Sequence, residues 1–263
     1  RDDVESRGLG DVYKRQKPLW VLGYGSLMFK PPPFAKYKLT GYLNGYIRRF
    51  YQSSSDHRGT PESPGRVVTL VSIEDILKNE KFQKDVLNYE LKNYNGVDKE
   101  AIFGDLQRLS ELLEIYGCIY YIPPEHAQEV TEYLDIREQD GYSSHEISFN
   151  IPMINKDDQI GALQEVNDDQ EEELNKILSQ LPRNAKSEYV IKSVVYICTV
   201  DNESFIGPEE IIKTSKIIRN SIGPSGKNID YLLGIHNSLN SLSIKNSNCN
   251  YLNHLVELVN KDN

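Results

Sequence analysis

The 263-residue sequence has only three cysteines, Cys118, Cys198 and Cys249, with no CxxC pair among them. An odd number without paired spacing indicates neither a disulfide framework nor a thiolate zinc site, and it suits a reducing, cytoplasmic location. None of His57, His126, His145, His236 and His254 stands in HxxxH or HExxH spacing, so the helical two-histidine metal face is missing and no metal is expected. No apolar run approaches the roughly 20 residues that a membrane-crossing helix needs, so no membrane partner is expected. Basic residues are also in short supply. Thirty Lys and Arg against 39 Asp and Glu give a formal net charge of −9, which disfavours nucleic-acid binding by bulk electrostatics.

What the chain does have is 38% hydrophobic and 10% aromatic content, enough to bury a core in one large domain or two small ones and too much for general disorder. Residues 1–16 are charged and glycine-bearing, with neither an apolar stretch nor an amphipathic period. They read as a non-native or disordered leader and are set aside. Patterned sequence begins at Lys17, and a single domain is expected over 17–260.

Residues 20–22 form an apolar run stopped by Gly23 and Gly25, a buried strand entering a tight loop. Strands follow at 46–52 and 66–71, around a polar loop. Residues 73–116 are rich in Lys, Glu and Asn, with helical spacing at Phe82/Val86 and Leu106/Leu109/Leu113, and read as a surface-exposed helical insertion. A strand at 117–122 runs into Pro123-Pro124, which opens a helix where proline costs least. Ile147, Phe149 and Ile151 alternate as in a half-buried strand, residues 157–173 are acidic and solvated, and Leu174, Ile177, Leu178 and Leu181 stripe a helix ending at Pro182. A β-branched strand covers 194–200. Pro208 starts a helix with Ile211, Ile212, Ser215 and Ile218 inward, and Gly223-Pro224-Ser225-Gly226 breaks it before a helix carrying Tyr231, Leu232, Ile235 and Leu239. Strands dominate early and helices late, which makes the class α+β.

On a helix over 125–138, with Ala127 at zero and 100° per residue, Val130 falls at about 300°, Leu134 at about 340° and Glu138 at about 20°. A carboxylate therefore stands on the apolar stripe. Burial and the negative end of the helix dipole both raise its pKa, as a proton shuttle at neutral pH requires. The alternatives are that the helix stops near Asp135, or that Glu138 pairs with Arg137 or another arginine at the core edge.

In Gly23-Tyr24-Gly25-Ser26-Leu27 the glycines permit positive φ, and successive N–H groups can converge on an oxyanion or carboxylate. A plain turn is the alternative, since Met28 replaces the third glycine of a dinucleotide fingerprint and no Gly-Lys-Ser/Thr follows. Ser53 to Ser55, Asp56 and His57 gather triad chemistries, but sequence neighbours seldom meet in triad geometry and there is no Gly-x-Ser-x-Gly elbow. Asp and Ser capping the loop is the simpler reading. Arg58 or Arg66 can pair a carboxylate or hold an anionic substrate group. Tyr142 and Tyr196 can each offer a phenol to a pocket or pack in the core.

The string Trp20-Val21-x-Gly23-Tyr24-Gly25-Ser26-Leu27, the run Arg48-Arg49-Phe50-x-Gln52-x-Ser54-x-Asp56-His57-Arg58-Gly59 with Pro64-Gly65-Arg66-Val67-x-Thr69-Leu70, and then Tyr133-Leu134-x-x-Arg137-Glu138, Gly141-Tyr142, Val195-Tyr196-Ile197, Gly207-Pro208 and Gly223-Pro224-Ser225-Gly226 together resemble the ChaC-type glutathione-specific γ-glutamylcyclotransferases. The likeness spans about 20–232, interrupted at 73–116 and 152–188. It implies the γ-glutamylcyclotransferase-like fold, a small mixed β-barrel flanked by helices, and one catalytic domain. It implies cleavage of reduced glutathione to 5-oxoproline and cysteinylglycine without cofactor or metal, with Glu138 as base and then acid and Tyr24 to Leu27 around the γ-glutamyl moiety. With the residue readings above, the expected substrate-binding set is Trp20, Val21, Leu22, Gly23, Tyr24, Gly25, Ser26, Leu27, Ser54, Arg58, Arg66, Tyr142 and Tyr196. Met28-Phe29, the three prolines from Pro31 and the 73–116 insertion depart from the pattern and bear on substrate preference. The rivals are a cyclotransferase for other γ-glutamyl compounds and a non-catalytic binding module.

Overall fold

The computed structural model describes residues 17–94, 98, 101–139, 141–152, 167–242 and 249–261. The leader at 1–16 and most of the acidic 157–173 stretch lie outside them. Strand β1 (Leu19–Gly23) pairs antiparallel with β5 (Glu114–Ile122), and β5 pairs antiparallel with β2 (Tyr37–Asn44). β2 meets β6 (Ser143–Ile151) at Tyr42 and Asn150, β6 runs antiparallel to β7 (Tyr189–Ile197), and β7 returns parallel to β1 at Val21 and Val194. The result is a closed five-stranded mixed barrel. Its interior is one face of each strand, with Leu39, Ile119, Phe149, Ile191 and Val195 fully buried there. The alternation at Ile147, Phe149 and Ile151 buries all three, as their period of two requires.

A second sheet pairs β3 (Tyr46–Ser54) with β4 (Gly65–Ser72), with a register shift between Arg49 and Gln52. The 73–116 segment forms α1 (Ile73–Leu77), α2 (Glu80–Tyr89), a 3-10 turn (Ala101–Gly104) and α3 (Leu106–Leu112). Ser72, Asn79 and Asp105 cap the three helices by accepting from Asp75, Lys81 and Arg108 amides. The segment is less exposed than its composition suggests, because Ile76, Phe82, Val86, Leu91, Ile102 and Leu109 bury a separate core against Ile47, Tyr51 and Val71. Its last residues, 114–116, are the start of β5 rather than helix.

Arg49 docks this segment. Its guanidinium is fully buried, donates from Nε to Asp85 Oδ2, and forms a two-pronged pair with Glu90 at 2.8 Å through each Nη. The ring of Tyr251 lies 4.5 Å below it.

A 3-10 turn (Pro124–His126) leads into α4 (Ala127–Arg137). Beyond β6 come α5 (Asp168–Ser179), opened by a capping box of Asn167 and Gln170, then α6 (Ile211–Asn220), the short hairpin of β8 (Ile222–Gly223) and β9 (Gly226–Lys227), α7 (Asn228–Asn240) and α8 (Asn250–Asn260). The strand expected at 194–200 ends at Ile197, and the helix expected from Pro208 begins at Ile211. Ile212, read as inward, is 58% exposed, and Thr214, Ser215 and Ile218 form the inner face instead. Among the described residues no helix is long and apolar enough to cross a membrane.

Removing one partner from a buried ion pair strands the other charge. Arg49→Ala is expected to lower unfolding free energy by about 3–5 kcal/mol, read by urea denaturation; a change within error of zero would show that the insertion docks without it.

Candidate active site

Helix α4 buries Val130 and Leu134 completely, and Glu138 follows on the same stripe as its C-cap residue, its N–H donating to Leu134 O at 2.9 Å. Gly141, at φ +98°, then turns the chain into β6 in a conformation that only glycine adopts freely. The Glu138 side chain is 15% exposed. Burial pushes its pKa up, the Arg137 guanidinium (Nε 3.4 Å from Oε1) and His57 pull it down, and Asp56 raises it further, for a net upward shift.

Glu138 lies where two hollows meet. The outer one is a cavity of about 310 Å³ whose wall includes Lys30, Ser54, Asp56, His57, Arg58 and Arg137; the inner one, about 30 Å³, is lined by Leu22, Tyr24, Gly25, Leu27, Val68 and Tyr196. Ser26, Glu138, Tyr142 and Tyr231 line both.

The inner hollow is bounded by the loop after β1. Its chain closes into a 3-10 turn (Ser26–Met28), with Met28 N donating to Gly25 O at 3.1 Å. The first amides of such a turn, here Ser26 and Leu27, have no acceptor within it, and both residues border the hollow. Neither Gly23 nor Gly25 has a positive φ, contrary to the sequence reading. Gly25, at φ −125°, is required instead by close packing, because a Cβ there would stand 2.8 Å from Val68 Cγ2 and 3.3 Å from the Tyr231 hydroxyl. Three donors hold the loop: Arg48 Nε to Tyr24 O at 2.9 Å, Tyr120 OH to Leu27 O at 2.6 Å, and Tyr24 OH to Tyr196 O at 2.7 Å. Burial raises the pKa of Tyr24 and Tyr142, so both stay neutral hydrogen-bond donors.

The family model for ChaC-like protein matches residues 19–262. The chain belongs to the ChaC-like family. It is 44% identical over 248 residues to the glutathione-specific gamma-glutamylcyclotransferase of Saccharomyces cerevisiae, covering 92% of this chain and 96% of that one. The Schizosaccharomyces pombe protein of the same name is 29% identical over 226 residues, covering 86% and 84%. The crystal structure of the selenomethionine-labelled yeast cyclotransferase specific to glutathione superposes with a TM-score of 0.78 at 42% identity, covering 93% of this chain and 96% of that one. This ChaC-like chain therefore has the γ-glutamylcyclotransferase fold.

Of the residues expected at the site, Glu138, Ser26, Ser54, Arg58 and Tyr142 line the outer cavity, and Leu22, Tyr24, Gly25, Leu27 and Tyr196 the inner hollow. Four stand elsewhere. Trp20 packs edge-on against Tyr121 on the barrel, Val21 is the barrel's closing pair with Val194, and Gly23 ends β1 opposite Cys118. Arg66 gives its guanidinium to Glu209 in a two-pronged pair at 2.9 Å and its amide to Asn228 Oδ1, so both of its polar ends serve the fold. Tyr196 donates to Asp135 on α4 at 2.7 Å.

Sequence reasoning passed over Lys30, Gln52, Tyr133, Arg137, Ser225 and Tyr231 as cavity wall. The signals available were the Gly-Pro-Ser-Gly break and the basic residues on either side of the two motifs. His57 does stand between Asp56 (3.2 Å) and Ser225 (3.2 Å), but its ring is 49% exposed and Asp56 is 30% exposed, whereas a hydrolytic triad keeps its acid buried. Among the described residues no group of three His, Cys, Asp or Glu could hold a metal ion.

A carboxyl whose folded pKa is raised destabilises the fold as pH rises from the ordinary carboxylate range through the raised value, because the unfolded chain ionises first. Glu138→Gln mimics the neutral form. Its melting temperature is expected to match wild type near pH 4 and to exceed it increasingly toward pH 7; parallel curves across that range would refute the buried-carboxyl assignment.

Proposed function

We propose that this chain is a γ-glutamylcyclotransferase that cleaves glutathione to 5-oxoproline and cysteinylglycine, with Glu138 as its general base and acid. The observation that carries the reading is the position of one carboxylate, raised in pKa, at the junction of the Ser26–Met28 turn and a cavity of about 310 Å³, a volume at the lower end of small-molecule sites. The relatives named above give the substrate.

The γ-glutamyl α-ammonium passes a proton to Glu138, and the freed amine attacks its own γ-amide carbonyl carbon. A C–N bond closes the five-membered lactam while the carbonyl oxygen takes up negative charge. The new ring nitrogen still carries two protons and must lose one to become the lactam N–H. As the intermediate collapses, the amide bond to cysteine breaks and Glu138 returns its first proton to the departing nitrogen. The ring nitrogen's proton passes by way of the same carboxylate to the freed amine, which leaves as an ammonium. No atom is gained from water and no electron changes hands. The nucleophile is already in the substrate, so the site's task is orientation, which alone can supply several kcal/mol, and the Ser26 and Leu27 amides suit either the oxyanion or the α-carboxylate.

The reading treats residues 17–260 as one catalytic domain working in the cytoplasm, where glutathione is kept reduced. Reduced glutathione, oxidised glutathione and γ-glutamyl-alanine, incubated separately with and without EDTA, are expected to give 5-oxoproline from the first alone and at an EDTA-independent rate. Glu138→Gln should lose about 10²–10⁴-fold in turnover while remaining folded. In the wild type, kcat/KM should rise with pH through the Glu138 titration, above the ordinary carboxylate range. Full activity of the variant would remove Glu138 from the role.

A further inference from the structure

The outer cavity is cationic within an anionic chain. Its wall carries three cations, Lys30, Arg58 and Arg137, against two carboxylates, Asp56 and Glu138, in a protein of net charge −9, and burial holds one of those carboxylates toward its neutral form. Two of the cations are already engaged. Arg137 donates from Nη2 to Ser26 Oγ at 3.1 Å and sits 3.4 Å from Glu138. Arg58 is buried, donates from Nη1 to Lys227 O at 3.0 Å and lies 5.5 Å over the Tyr231 ring.

Lys30 differs from both. It is exposed at the cavity mouth, and its ammonium has no hydrogen-bond or ion-pair partner among the described residues. Its main chain is nevertheless fixed, since its N–H donates to Ser26 O at 2.8 Å, and Pro31 follows on the same wall. Burial and the like charges of Arg58 and Arg137 lower its pKa, a repulsion that an incoming anion relieves.

The two hollows decide which anion this is. The reacting amide has to lie beside Glu138, and the γ-glutamyl α-carboxylate, only a few bonds from that amide, stays near Glu138 and the Ser26 and Leu27 turn that borders the inner hollow. An inner hollow of about 30 Å³ cannot take a dipeptide, so the leaving portion runs outward and only its far end reaches the mouth. We propose that Lys30 is a specificity-determining residue whose ammonium receives the C-terminal carboxylate of a γ-glutamyl peptide. The inference rests on the glutathione reading and narrows it: the substrate class is γ-glutamyl peptides with a free terminal carboxylate, long enough to span from Glu138 to the mouth, and their amides and esters are discriminated against.

The test compares kcat/KM for glutathione and for its glycinamide analogue, in the wild type and in Lys30→Met, by release of 5-oxoproline. A charge-assisted contact is worth about tenfold or more, so the wild type should prefer glutathione by about that factor. In Lys30→Met the preference should collapse, the loss falling on KM for glutathione rather than on kcat, with the analogue's kinetics little altered; Lys30→Arg should restore most of the preference. Equal use of the two substrates by the wild type, or an equal fall for both in Lys30→Met, overturns the inference and leaves the cyclotransferase reading standing. Absence of 5-oxoproline from glutathione with the wild type overturns both.

Discussion

The guanidinium of Arg48 lies in the seam between the two sheets, almost entirely out of water, with the Cys249 side chain beside it and two main-chain carbonyls as acceptors: Tyr24 O, reached from Nε at 2.9 Å, and Tyr116 O, reached from Nη2. A buried cation is tolerable only where its donors are met. The forked geometry of arginine meets two carbonyls on different elements, which a single ammonium cannot do with the same precision. Through this one side chain β3 fixes the residue after β1 and the start of β5 together. Tyr24, so held, donates to the Tyr196 carbonyl, and the Tyr196 hydroxyl donates to Asp135, one turn before Glu138 on α4. A continuous path of hydrogen bonds thus ties the glycine loop to the helix end that presents the carboxylate. Such support is what keeps a site built on a loop in register.

Arg49, the next residue, shows how the 73–116 helices are held on the far side of the strand from the cavity. Along β3 the even-numbered side chains Arg48, Phe50, Gln52 and Ser54 face the barrel and the cavity, while Ile47, Arg49 and Tyr51 face the insertion. Side chains of a strand alternate between its faces. One strand therefore serves as a partition, with neutral acceptors for the arginine on the site side and carboxylates for the arginine on the other. None of residues 73–116 among those described lines either hollow. The helices of this segment pack on the outer face of the β3–β4 sheet, and none of their described residues borders the hollows around Glu138.

How much of this was legible in the sequence follows from the range of each interaction. Glu138 could be found because its position depends on the 100° step of a single helix, and Val130 and Leu134 two turns and one turn earlier mark the buried stripe. The loop could be found because glycines are local signals, although their purpose was misread: Gly25 answers to Val68 and Tyr231, which no local pattern reveals. Arg66 and Arg58 look alike in sequence, and only a glutamate 143 residues away separates the structural arginine from the one in the cavity wall. Helix α8 went unread because Cys249 offers no side-chain cap, although Tyr251, Leu252, Leu255 and Val259 carry the helical spacing.

The environment of Glu138 suits a proton carrier because its influences oppose one another. Burial alone would keep the carboxyl protonated and unable to accept a proton from an ammonium. A close arginine alone would hold it ionised and too weak an acid to protonate a departing amine. Here the Arg137 guanidinium is kept at 3.4 Å, with part of its donor capacity drawn off to Ser26 Oγ at 3.1 Å, and the half-exposed His57 adds a second downward pull that Asp56 counters. The upward shift that survives is the residue of these four influences, so the acid-base character of the site belongs to the cavity wall as a whole. For a reaction in which one group must both accept and deliver protons, a pKa set by such a balance is the property that matters most.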